Sequence, residues 1–207
     1  MLATLHQFHG ENKNYSFETL SRIIEKYDPD IIAAELTPTD LDSRKEQKTK
    51  QEYQRSVFPV ADKHKYKLIA LEPSEPKFSE LVGLIRDTQK TLREKSPEKA
   101  EAFSVYTESL YGYLFKFWDS PLKVNSPETD ALFEVKHKYQ TALYGEGEEK
   151  GWNGWNQHFL ERILETARNN KGKKIIVLVG VEHGYWLRKK LRENSEIKLI
   201  ESQTILK

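Results

Sequence analysis

The chain has 207 residues, with 33 Lys plus Arg against 32 Asp plus Glu, for a formal net charge of +1. That balance gives no global electrostatic case for nucleic acid or for an anionic membrane. Cysteine is absent, which excludes disulfides, thiolate metal sites and a cysteine nucleophile. The length suits a single domain, 1–207, with a substantial core.

The N-terminus has no basic stretch followed by an apolar one, so no signal peptide is expected. No apolar run approaches the ~20 residues that span a bilayer. A cytoplasmic protein without membrane contact is the default expectation.

In chain order, residues 2–6 predict a first strand. Asn14 or Ser16 can cap a helix that carries Phe17, Leu20, Ile23, Ile24 and Tyr27 on one face. Residues 31–36 predict a second strand, closed by Pro38. The charged stretch 42–52 predicts a solvated helix face. Residues 67–72 predict a third strand, stopped by Pro73. About a hundred residues then pass without a good strand, and 76–170 read as a large helical insertion or cap. Ser96-Pro97-Glu98 and Ser126-Pro127-Glu128 are helix starts, with proline at the first helical position. The stripe from Phe103 to Trp118 suits a core face, an apolar pocket wall or a homodimer interface. Residues 145–155, rich in Gly and holding Trp152 and Trp155, read as a loop. It either forms a lid over an apolar substrate or packs the next helix on the core. Residues 174–179 are the strongest strand, and 197–200 predict a last one. Continuous apolar strands alternating with helices predict an α/β fold. Its sheet is mostly parallel and flanked by helices, with the insertion between the third and fourth strands.

Ligands of open parallel sheets sit beyond the carboxyl ends of the strands. Here the first strand ends in His6, with His9 close behind; the second ends near Glu35; the third ends in Glu72; the fourth ends in Gly180-Val-Glu-His183. Imidazoles and carboxylates are costly to bury unless they pair, bind metal or work. His6, Glu35 and His183 could hold a divalent metal such as Zn, Mn or Co. Alternatively, one His could act as a general base oriented by a carboxylate. No Gly-rich phosphate loop, Gly-x-Ser-x-Gly elbow or His-Glu-x-x-His helix is present.

This ordered set resembles the superfamily that joins the TraB pheromone-shutdown proteins, the Tiki proteases, the ChaN-type haem-binding proteins and the erythromycin esterases. Members share two Gly-x-x-His motifs, a Glu ending the second strand and an Arg from the helical region. The last motif is intact as Gly180–His183. The Glu is matched by Glu35, and the first motif stands as Ala3-Thr-Leu-His6 with Ala in place of Gly. Where many members carry Arg-Asn, this chain has Trp155-Asn156, so Asn156 matches and the Arg does not. Arg55 or Arg162 could supply a guanidinium instead. The resemblance implies an α/β core with a helical insertion and a His/Glu site. Its branches differ in function. One implies a hydrolase attacking an ester or amide carbonyl of a small molecule or peptide, with or without metal. Another implies a binder of haem or an apolar ligand. A regulatory module with a decayed site is the third reading.

Overall fold

A computed structural model describes residues 1–206. Its centre is a parallel sheet of four short strands, β1 (Leu2–Thr4), β2 (Ile31–Ala34), β3 (Lys67–Ala70) and β4 (Ile175–Gly180), in the spatial order β1-β4-β2-β3. Leu2 pairs with Leu178, and Ile32 pairs with both Ile176 and Leu68, so β4 lies between the first and second strands. The first three strands stop short of their predicted ends, which leaves His6, Glu35 and Glu72 on the turns beyond the sheet.

The strand expected over 197–200 does not form; those residues follow a turn as irregular chain. Beside β1 a fifth strand would need the outer edge of that strand, and this edge is occupied. Ala3 donates its N–H to Asn125 Oδ1 at 2.8 Å and accepts from the Tyr15 hydroxyl at 2.9 Å.

Helix α1 (Phe17–Tyr27) starts where Ser16 Oγ accepts the Thr19 N–H, as the cap predicts. Two shorter helices follow, α2 (Pro38–Ser43) and α3 (Phe58–His64), the latter entered through a wide turn at Tyr53–Val57. Between β3 and β4 run α4 (Lys77–Lys95), α5 (Pro97–Phe117), α6 (Pro121–Val124), α7 (Pro127–Tyr144) and α8 (Glu146–Asn169). Helices α9 (Gly184–Glu193) and α10 (Ser202–Ile205) follow β4. No helix among the described residues is long and apolar enough to cross a membrane.

Alternation along β4 explains why its apolar run is continuous. Ile176 and Leu178 join one core with Leu20, Ile24, Phe58, Leu114 and Phe133. Val177 and Val179 face the opposite way, into a second core with Phe159 and Ile163 of α8 and Leu187 and Leu191 of α9. Both faces of the sheet are therefore covered. Helix α8 is itself one of the flanking layers, so the insertion is built into the sheet packing. The aromatic stripe of α5 serves the core through Phe103, Leu110 and Leu114, followed by Trp118, while Tyr113 points outward.

The stretch 145–155 is not a loop, because α8 begins at Glu146. A Cβ at Gly147, Gly151 or Gly154 would collide with side-chain atoms of Thr88, Ile85 or Leu81 on α4. Glycines spaced four and three apart share one helix face. Their role is to let α4 come close, and Trp152 and Trp155 project from a rigid helix.

Candidate active site

His6, Glu35 and His183 meet at the carboxyl ends of β1, β2 and β4. Nε2 of His6 is 3.7 Å, and Nε2 of His183 3.9 Å, from the same oxygen, Glu35 Oε1. The other carboxylate oxygen, Oε2, accepts the Gly180 N–H at 2.6 Å. The backbone of Glu35 is fixed as well. Past the last β2–β4 pair, its N–H donates to the Tyr53 hydroxyl at 2.7 Å, and that hydroxyl donates to Leu178 O at 3.3 Å.

Each imidazole is oriented through its far nitrogen. Nδ1 of His6 lies 2.7 Å from Glu52 Oε1. A carboxylate of lowered pKa can only accept, so His6 carries a proton on Nδ1. Nδ1 of His183 lies 2.9 Å from Asn156 Oδ1. The Asn156 amide donates from Nδ2 to Trp152 O at 2.9 Å, which leaves Oδ1 as the acceptor and gives His183 its Nδ1 proton too. Both Nε2 atoms are left facing Glu35.

Their surroundings push the two rings in opposite directions. Burial works against the charged form of His6, but Glu52 and Glu35 outweigh it, and the ring keeps its proton above its ordinary value of 6.5. Burial dominates at His183 and pushes it down to about 4 against the pull of Glu35. Glu35 is held down to about 2: burial would raise it, but Lys50, His6, His183 and the Gly180 N–H outweigh burial.

His6 adopts φ of 51°, a left-handed conformation that costs an ordinary residue roughly 1–3 kcal/mol. Its short bond to Glu52 and its contact with Gly180 hold it there. A Cβ at residue 180 would lie 2.5 Å from His6 Nε2. The glycine of the Gly180–His183 motif thus makes room for the other histidine.

Two residues of the cluster come from the stretch expected to be solvated. Glu52 is fully buried and also accepts from Thr4 Oγ1 at 2.9 Å. Lys50 reaches Glu72 Oε1 at 2.6 Å, Glu35 Oε1 at 3.2 Å and Glu35 O at 3.0 Å. Burial, aided by Glu35, pushes Glu72 up to about 7 in spite of Lys50. A readable signal for Glu52 was its spacing: it lies four residues before buried Ser56, at the edge of the apolar face of Tyr53, Val57, Val60 and Ala61. Nothing local marks Lys50.

The remaining residues named from sequence divide. Trp152 stacks on His183 at 4.5 Å and on His137 at 3.9 Å, so it walls the site. Trp155 packs edge-on against Phe78. His9 stands outside the cluster because both ring nitrogens serve the backbone: Nε2 accepts from Leu5 N–H at 2.9 Å and Nδ1 meets Tyr15 O at 2.6 Å. Arg55 is exposed and lies over the Phe17 ring at 4.7 Å, and Arg162 pairs with Glu165 on the surface of α8. Neither guanidinium joins the cluster, and the nearest cation is Lys50.

No family model matches the chain, and neither does any curated protein or solved structure.

Proposed function

We propose that the chain is a hydrolase in which water attacks an ester or amide carbonyl of a small molecule or peptide between His183 and His6. The observation that carries this reading is the pair of imidazoles on one carboxylate, each held through Nδ1, with pKa values driven in opposite directions. Such a split suits one ring to the role of base and the other to that of acid. His183, neutral at pH 7, takes a proton from water on Nε2 as the oxygen adds to the carbonyl. Glu35 stabilises the imidazolium that forms. His6 enters charged, stabilises the oxyanion through Nε2–H, and gives that proton to the departing alcohol or amine. Exchange of the proton with solvent resets both rings. The order of His6, Glu35 and Gly180–His183 also supports the resemblance to the TraB and erythromycin-esterase grouping, which we carry forward as a proposal.

A divalent metal does not fit the cluster as it stands. Among the described residues, no group of three His, Asp or Glu side chains is arranged to hold one. Haem fits no better. Iron on His183 Nε2 would require the porphyrin to displace Glu35 and its Lys50 partner.

The test is a panel of aryl esters, lactones and short peptides, assayed with the parent, His6→Ala and His183→Ala. Each variant should lose roughly 10²- to 10⁴-fold in kcat/KM while its circular dichroism spectrum is unchanged. Full turnover in both variants, or none in the parent, removes the assignment.

The pH profile gives a second expectation. Activity should rise as His183 loses its proton near pH 4 and fall on the high-pH side as His6, held above its ordinary value, loses its own. Glu52→Gln deletes the anion that favours charged His6. The high-pH limb should therefore move to lower pH, with the acid limb in place. A profile that does not move would show that His6 is not the acid.

A further inference from the structure

The second core, between the sheet and helices α8 and α9, does not close at the amino end of β4. It opens there into a cavity of about 460 Å³, a size that takes a small organic ligand. Buried Ile163, Val177 and Leu191 and half-buried Ile175, Ile197 and Leu199 line it. The candidate active site lies at the other end of the same strand, past Gly180. Segment 197–200 alternates as a strand does, with Ile197 and Leu199 half-buried against the second core and Lys198 and Ile200 exposed. It forms one wall of the cavity although it joins no sheet. The one ring in the lining is Tyr27, and Lys174 lies over it at 5.7 Å. A peptide or a heterocycle would leave polar groups unpaired against such walls, whereas a hydrocarbon chain has none to lose.

The lining carries charge of mainly one sign. Four exposed lysines, Lys171, Lys173, Lys174 and Lys198, stand against a single carboxylate, Glu196, which Arg168 meets at 3.4 Å. Lys173 pairs with Asp30 at 3.0 Å and Lys174 with Asp28 at 3.8 Å. Among the described residues, Lys171 and Lys198 have no carboxylate within ion-pair distance. We propose that this cavity binds a free long-chain carboxylate, its chain against Ile163, Val177 and Leu191 and its head group met by Lys171 and Lys198. An enclosed space for one chain, in a protein of net charge +1, suits a free acid better than a bilayer surface. The site shares no residue with the His6, Glu35 and His183 cluster, so it stands or falls independently of hydrolysis.

The probe is dodecanoate, titrated calorimetrically below its micellar concentration. The parent should bind about one per chain, and dodecyltrimethylammonium, with the same chain and the opposite charge, should bind about tenfold more weakly or worse. Ala167→Phe puts a ring into the cavity and should abolish binding. The double variant Lys171→Glu, Lys198→Glu should weaken dodecanoate by roughly tenfold and leave dodecanol unchanged. No uptake of dodecanoate by the parent would overturn the proposal, as would equal binding of the two surfactants or binding that either variant leaves unaltered. Protein that sediments with phosphatidylglycerol vesicles yet ignores dodecanoate would refute the free acid in favour of a lipid surface. Should Ala167→Phe fail to fold, the lysine pair decides, since both residues are exposed.

Discussion

A single methyl group added at residue 180 should cost at least about a hundredfold in kcat/KM while the protein stays folded. In Gly180→Ala the backbone is not the difficulty, because φ of −55° and ψ of 145° suit any residue. The new Cβ would instead sit 2.5 Å from His6 Nε2 and 3.1 Å from His6 Cε1. The Gly180 backbone cannot yield easily, since its N–H is tied to Glu35 and it ends the central strand β4. His6 must move by roughly 1 Å, a displacement sufficient to spoil an aligned reaction. The overpacking itself should lower stability by about 1–3 kcal/mol. The His6 Cε1–H resonance reports the displacement without any substrate, and denaturant unfolding reports the stability. Wild-type turnover together with an unshifted His6 signal would show that the contact is dispensable.

The second large effect concerns stability. Trp118→Ala should destabilise the fold by about 3–5 kcal/mol, a fall in melting temperature of roughly 6–20 °C. Trp118 is 1% exposed and packs against Tyr111, Phe115 and Phe133. Its indole N–H donates to Thr129 Oγ1 at 3.0 Å, and its carbonyl accepts from Asn12 Nδ2 at 2.9 Å. Asn12 in turn accepts from the N–H groups of Asn14 and Tyr15, closing the turn that follows His6. The Asn12 side chain thus ties the end of α5, through a backbone carbonyl that Trp118→Ala retains, to the segment that carries the candidate acid. Truncation leaves a cavity and takes one donor from the Thr129 hydroxyl, which keeps its own bond to Lys123 O. A loss below about 1 kcal/mol in urea unfolding would mean that the surrounding rings close over the gap.

Much of this was legible in the residues. Burial on both faces writes continuous apolar runs, so the four strands and the side chains just past them could be placed from 31–36 or 174–179 alone. Serine caps marked the starts of α1 and α7 for the same local reason. What failed was decided at a distance. The strand expected at 197–200 has the right residues, but the edge of β1 is taken by Asn125 and Tyr15. The glycines at 147, 151 and 154 read as flexibility, although their spacing fits a helix face and the partner α4 gives them their purpose. Lys50 and Glu52 were hidden in a charged stretch. Which charge turns inward depends on partners such as Thr4, His6 and Glu72, dozens of residues away.

The strand order has a consequence for how the chain matures. Within the sheet, β1 touches only β4, and β4 alone joins β1 to β2. The Leu2–Leu178 pair therefore closes a loop containing most of the polypeptide, and such long-range closure comes late because its entropy is lost before its contacts are gained. While the ribosome still holds β4, the first strand has no partner and His6 has neither Gly180 nor His183 beside it. A growing chain thus lacks the candidate site until its last strand slides into the middle of the sheet, and the step that completes the fold is also the one that brings His6, Glu35 and His183 together.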